Sequence, residues 1–219
     1  MNREKLAYLL GALRDGNFYE NTKYYIYRIR FYQNNKEWLT GTIAPIITEL
    51  FGKSGRLLKD PRKQLWYLEI ASKAIYKKMK QITEYQTNKI NWGVPSFVLN
   101  GSKDIKRNYI SGFFDADGGI LRVEQYSKPI LQKKLLDIKI RLNQANRIVL
   151  SKIKSMLSEF KIKSGKILGP YFKYHGARPY YELNIYGLTN IKKFYFKIGS
   201  RHPIKRKRLA EIISRREAV

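Results

Sequence analysis

Two stretches of this 219-residue chain share one unusual design: an apolar helix with a glycine inside it, closed by aspartate and glycine. The later stretch, Tyr109–Gly119, reads YISGFFDADGG, and the earlier, Leu6–Tyr19, reads LAYLLGALRDGNFY. A glycine within a helix costs about 1 kcal/mol relative to alanine. Gly11 and Gly112 therefore call for another backbone packed closely against each of them. The acids are equally conspicuous, because the chain holds only six aspartates against 44 Lys+Arg. Two of the six, Asp115 and Asp117, stand where the later helix must stop. A carboxylate there faces the negative end of the helix dipole, an unfavourable place unless a cation is bound. Gly118 and Gly119 are expected to end that helix in a left-handed cap. Gly11 and Asp15 are four residues apart, whereas Gly112 and Asp117 are five apart, so the first helix is one residue short between glycine and acid.

The repetition extends well beyond the helices. RIRFYQNNKEWL (Arg28–Leu39) and KIRLNQANRIVL (Lys139–Leu150) agree in pattern at an offset of 111 residues. KSGR at Lys53 pairs with KSGK at Lys163, and Leu68-Glu69-Ile70 pairs with Leu183-Asn184-Ile185. Asp15 and Asp117 are only 102 residues apart, so the second half has gained nine residues in its first hairpin. The chain is an internal duplication of an α-β-β-α-β-β-α unit, of the α+β class. The expected halves are 1–85 and 103–219, joined by a polar linker over 86–102. Each half is expected to supply a four-stranded antiparallel sheet, the two sheets forming a pseudo-twofold saddle. In the strand Lys23–Gln33, Tyr25, Tyr27, Ile29 and Phe31 are assigned to one face, and Tyr24, Arg28, Arg30 and Tyr32 to the other. Its counterpart sets Ile138, Ile140 and Leu142 against Lys139, Arg141 and Asn143. Lys36–Phe51 is expected to be helical, kinked or restarted by Pro45.

Charge and composition narrow the function. A net charge of +27 exceeds what solubility asks for and implies a polyanionic partner, with nucleic acid first. An anionic membrane is the rival, but no apolar run reaches the ~18 residues that a spanning helix needs. The N-terminus lacks a signal-peptide cleavage site, so the chain is expected to stay inside the cell, in the cytoplasm or, in a eukaryote, in an organelle. With no cysteine and only two histidines, disulfides, Cys-ligated zinc and a serine triad drop out. His175 falls in a turn. Asp, Glu and Lys remain as the chemistry-bearing side chains, and hard oxygen ligands suit Mg²⁺. Packing Gly11 against Gly112 brings Asp15 and Asp117 close together. Two such carboxylates repel unless divalent cations sit between them.

Ile110–Gly118 (ISGFFDADG) resembles the nine-letter motif of the LAGLIDADG homing endonucleases, identical at Gly112, Asp115, Ala116, Asp117 and Gly118. Leu6–Gly16 resembles a second, departed copy. The resemblance implies the single-chain, two-motif type: a monomer that cleaves both strands of a long asymmetric DNA site with Mg²⁺, for which Mn²⁺ can substitute. It implies Asp15 and Asp117 as metal ligands, with the Gly16 and Gly118 backbones beside them. Gln33 and Gln144 match a glutamine that the family often carries near the active site, and Lys205 matches a basic residue near the cleavage centre. The first half offers Lys103 or Lys106 for that role. Tyr24, Arg28, Arg30, Tyr32, Lys139, Arg141 and Asn143 would contact DNA. The chain begins at Met1 without an intein's Cys or Ser and lacks a His-Asn end, so an intron-encoded enzyme is expected. Two alternatives within the same fold are an RNA-splicing maturase and a non-catalytic DNA-binding protein.

Overall fold

The computed structural model describes residues 1–60, 65–84, 92–123 and 137–214. By packing, the chain divides into two compact units. Met1–Asp117 with Ser200–Pro203 form the first, and Gly118–Gly199 with Ile204–Val219 form the second. A unit of packing is thus not a unit of the repeat, for the second acidic helix packs within the first unit. Of the polar stretch 86–102, residues 86–91 lie outside the described residues, as does the loop 126–132, and Ser96–Leu99 form a short helix, α5.

The first unit opens with α1 (Arg3–Ala12), whose cap is the Asn2 side-chain oxygen, accepting the Glu4 and Lys5 amides at 3.1 Å. Strands β1 (Gly16–Asn21) and β2 (Ile26–Gln33) follow. After helices α2 (Lys36–Trp38) and α3 (Ala44–Phe51) come β3 (Arg56–Asp60), β4 (Leu65–Ala71), α4 (Lys73–Ile82), α5 and α6 (Lys103–Asp117). The sheet is antiparallel with order β1-β2-β4-β3. The second unit holds β5 (Gly118–Val123), β6 (Asp137–Gln144), α7 (Arg147–Glu159), β7 (Ile167–Tyr171), β8 (Tyr180–Tyr186), α8 (Leu188–Lys197) and α9 (Pro203–Ser214). Its sheet has the same plan, β5-β6-β8-β7. Among the described residues, no helix is long and apolar enough to cross a membrane.

The repeat seen in the sequence is a repeat of register. Ile29 and Phe31 stand opposite Ile70 and Leu68, and Ile140 and Leu142 stand opposite Ile185 and Leu183. All eight are buried beneath the helices of their own unit. Burying a side chain of this size is worth about 1.5–3 kcal/mol. Slipping either strand pair by one residue would turn its apolar row outward, so the apolar faces hold the register. The Arg/Lys rows are thereby fixed on the opposite face.

Two expectations change, and a third is decided between its alternatives. Tyr24 and Tyr25 do not continue β2: they lie in the turn that precedes Ile26, where Tyr25 takes φ +53° and is 77% exposed. Of the two readings of Lys36–Phe51, the restart is the one seen: the regular helix α3 begins at Ala44 with Pro45 in its first turn. Pro45 has no N–H for the carbonyl four residues back, and a π-helical stretch, Leu39–Ile43, precedes it, with the Ala44 amide reaching the Leu39 carbonyl five residues back. Gly118 and Gly119 form no left-handed cap. They are the first residues of β5, paired with Leu142 and Arg141, and neither has positive φ.

Candidate active site

The first unit is built on the pairing of α1 with α6. A Cβ on Gly11 would overlap the Tyr109 carbonyl oxygen and stand 2.7 Å from the Phe113 nitrogen. A Cβ on Gly112 would overlap the Tyr8 carbonyl oxygen and stand 3.0 Å from the Ala12 nitrogen. Each glycine thus meets the residues three before and one after the other glycine. The contact is reciprocal and is made by backbone, which no rotamer change can relieve.

The missing residue in the first helix is made up by a change of helix type. Past Ala12 the chain tightens into a 3-10 turn, Leu13–Asp15. A 3-10 residue rises about 2.0 Å against 1.5 Å for an α residue, so one α step and three 3-10 steps advance about 7.5 Å. Five α steps from Gly112 to Asp117 advance the same distance. Four residues therefore carry Asp15 as far beyond its glycine as five carry Asp117. The 3-10 turn packs against α6, and the charge of Asp117 acts on Arg14, so the acid-bearing ends of both helices belong to one neighbourhood. Both acids are half-buried. Gly16 follows Asp15 where a Cβ would overlap the Arg30 carbonyl oxygen.

Each motif also carries a buried charge that ties its helix end to another part of the chain. Arg14 donates to the carbonyls of Trp92 (2.9 Å) and Gly93 (3.2 Å), and its guanidinium lies 4.9 Å from the Trp92 ring. Burial lowers the pKa of Arg14, and Tyr109 and Asp117 oppose that shift. Asp115, fully buried, accepts from the Tyr8 hydroxyl at 2.6 Å, the Arg201 amide at 2.8 Å and the Ser200 hydroxyl. Trp38 donates its ring N–H to the Tyr8 oxygen at 2.9 Å. Burial first, then the Asp115 charge, holds the Tyr8 pKa well above its usual value, so Tyr8 remains a donor. Arg201 stacks 4.4 Å from the Tyr8 ring and donates to Asn108 at 2.6 Å, and His202 lies on Trp38. Asp115 is thus occupied within the protein, whereas its neighbour Asp117 is half-buried. Nothing local in the sequence marks this network, since its partners lie 85 to 107 residues away.

Among the described residues no group of three His, Asp or Glu side chains is placed to hold a metal ion. Two half-buried aspartates still fit Mg²⁺, which keeps several waters and typically takes one or two carboxylates together with substrate phosphates. Gln33 and Gln144 end β2 and β6 identically, each side-chain oxygen accepting the next residue's amide, at 2.9 and 2.8 Å. Lys205 lies in the first turn of α9, in the second unit, where the helix dipole disfavours a cation. Arg28, Arg30 and Tyr32 line the outward face of the first sheet, and Lys139, Arg141 and Asn143 that of the second. Tyr24 sits in a turn, outside that row. Glu69 and Glu182, which the alternation did not single out, lie on these faces and bind Arg30 and Arg141 at 2.7 and 3.3 Å. Burial lowers the Arg30 pKa, but hydrogen bonds to Glu69 and Tyr32 outweigh it and raise the value.

The LAGLIDADG-like domain family matches residues 104–199. Over 98% of this chain and 90% of its own length, the homing endonuclease I-ApeI of Aeropyrum pernix is 24% identical. By these matches the chain resembles the two-motif LAGLIDADG proteins. The crystal structure of I-DmoI in complex with DNA and Mn superposes with a TM-score of 0.63 at 20% identity, covering 91% of this chain and 98% of that one. Full-length DUF199/WhiA superposes at 0.61 and 14% identity, over 99% of this chain and 61% of that one. The LAGLIDADG fold is therefore present in full, and its two acid-bearing helices are α1 and α6. A tRNA-splicing ligase RtcB of Methanopyrus kandleri is 26% identical over 143 residues, but these span only 14% of that protein.

Proposed function

We propose that this LAGLIDADG protein is a site-specific, Mg²⁺-dependent DNA endonuclease that breaks both strands of a long asymmetric target as a monomer. One observation carries the reading: two helices, locked backbone to backbone at Gly11 and Gly112, each end in a half-buried aspartate on a chain of charge +27. Asp15 and Asp117, with the Gly16 and Gly118 carbonyls, would hold the metal, which when bound activates water and stabilises the leaving 3′ oxygen. The outward Arg, Lys, Tyr and Asn residues grip phosphates and read base edges in the major groove. Gln33, Gln144 and Lys205 are assigned to the reaction centre by family resemblance, and intron encoding belongs to the same reading. The test is incubation of the chain with a duplex library and Mg²⁺, followed by sequencing of cut ends. Recovery of one recurring site supports the reading, and uncut DNA with specific binding turns it into the non-catalytic alternative. The maturase alternative would show as a gel shift with structured intron RNA.

Two further results are expected. With six to ten phosphate contacts, log affinity should fall against log salt with a slope of about −0.9 per contact. A slope near zero would mean that the charge serves something other than DNA. Lys205→Ala should lower the cleavage rate by about 10²-fold while changing affinity less than threefold, because a cation there stabilises charge that develops only in the transition state. Equal losses in rate and binding would reduce Lys205 to a phosphate contact.

A further inference from the structure

Glu69 is out of place on the face that carries the arginine row. A carboxylate there repels a polyanion, yet Glu69 lies in the middle of the first sheet, directly opposite Arg30 on β2 and Arg56 on β3. It is only 8% exposed. Its Oε2 accepts from the Arg30 Nε at 2.7 Å, with an Arg28 terminal nitrogen 3.5 Å away. The Arg30 guanidinium is also flanked by two rings, 5.2 Å from Tyr67 and 5.6 Å from Tyr19. Tyr32 packs on Tyr67 at 5.5 Å and closes that side.

An arginine has five N–H donors in a rigid fork. Glu69 takes the one on Nε. The two terminal nitrogens are the pair that matches O6 and N7 of guanine, with the Tyr32 side chain as a further hydrogen-bond partner of the guanidinium. A free arginine surrenders rotamer freedom when it docks, whereas one clamped by a carboxylate and two rings has surrendered it on folding. We propose that Glu69 is a positioning residue for sequence recognition, fixing Arg30 in the orientation that reads one guanine in the DNA target. The second sheet also pairs an acid with its arginine, but through a terminal nitrogen of Arg141 rather than Nε. Asn184 stands opposite Arg141, where Glu69 stands opposite Arg30, and the carboxylate comes instead from Glu182, two residues along β8, at 3.3 Å. Each half thus carries an acid beside its central arginine, at a different position in each.

This inference rests on the DNA-binding reading, and the experiment separates the two. Duplexes bound by the full chain are selected from a randomised library, and affinities are then measured for the four bases at each position. The wild type should prefer guanine at one base pair by ~10–100-fold, the range of a bidentate arginine contact. Glu69→Gln should cut that preference to below about threefold at that base pair alone, and it should bind non-specific DNA no more weakly, since a negative charge is gone. Arg30→Met should erase the same preference, and Glu69→Gln should then add nothing. Arg30→Lys, which keeps the charge and loses the fork, serves if Glu69→Gln does not fold. A Glu69→Gln protein whose affinity changes equally for every sequence, with its guanine preference intact, overturns the proposal. A wild type that selects no consensus overturns the DNA-recognition reading along with it.

Discussion

Asp15→Asn and Asp117→Asn should each abolish double-strand cleavage, with rates falling by a factor on the order of 10³ or more. If both acids hold the metal as proposed, a hard cation of strict geometry would lose a charged ligand in either variant, and the several kcal/mol of transition-state stabilisation it supplies would go with it. At about 1.4 kcal/mol per tenfold, a loss of ~4 kcal/mol gives that factor. Specific binding should be retained or tightened, because a carboxylate that repels the phosphates has become neutral. The two variants should differ. Asp15 ends a 3-10 turn and is preceded by the buried cation Arg14, whereas Asp117 ends a regular helix. Slow nicking of one strand is expected to survive in Asp15→Asn. Duplexes labelled separately on each strand and incubated with Mg²⁺ provide the measurement. If Asp15→Asn cuts both strands at the wild-type rate, Asp15 is no ligand and the paired-acid mechanism fails.

The second large effect concerns stability. Gly11→Ala and Gly112→Ala should each destabilise the chain by about 3 kcal/mol or more, the upper end for overpacking, since the obstructing atoms are backbone. For a chain of this size that corresponds to a fall in Tm of roughly 6–12 °C. Gly41→Ala is the control: a Cβ there meets nothing within 4 Å, and a glycine in helical surroundings is replaced by a better helix former. Thermal melts followed by far-UV circular dichroism would compare the three. Equal Tm values for Gly112→Ala and Gly41→Ala would mean that α1 and α6 can move apart at little cost, contrary to the reciprocal packing.

What the sequence made legible was periodic. Alternation along Ile26–Gln33 and Asp137–Gln144, repeated at a fixed offset, leads directly to two sheets of one plan, because an apolar row has only one face to bury. The glycine–acid helices were legible because glycine is costly in a helix and needs a neighbour. What escaped had partners far away or depended on subtle backbone choices. The spacing of Gly11 and Asp15 looked like a defect until the 3-10 turn restored the length. The turn before Ile26 has no glycine to announce it, so Tyr24 and Tyr25 were counted into the strand. Asp115 stands beside Asp117 at the helix end, but its hydrogen-bond partners, Tyr8, Ser200 and Arg201, lie far along the chain. Glu69 passed as part of a repeated triplet, and only strand pairing sets it across from Arg30.

The return of Ser200–Pro203 to the first unit has a consequence for how the protein is made. Asp115 emerges from the ribosome 85 residues before Ser200. At 5–20 residues per second the delay is roughly 4–17 s. Throughout that interval the first unit has all of its own sheet but lacks the hydroxyl and amide that its buried carboxylate requires. Completion of the first unit therefore waits for the second to be translated. A duplicated unit is in this way tied to one order of assembly, and a chain ending before Ser200 is expected to leave the buried carboxylate of the first unit short of its donors.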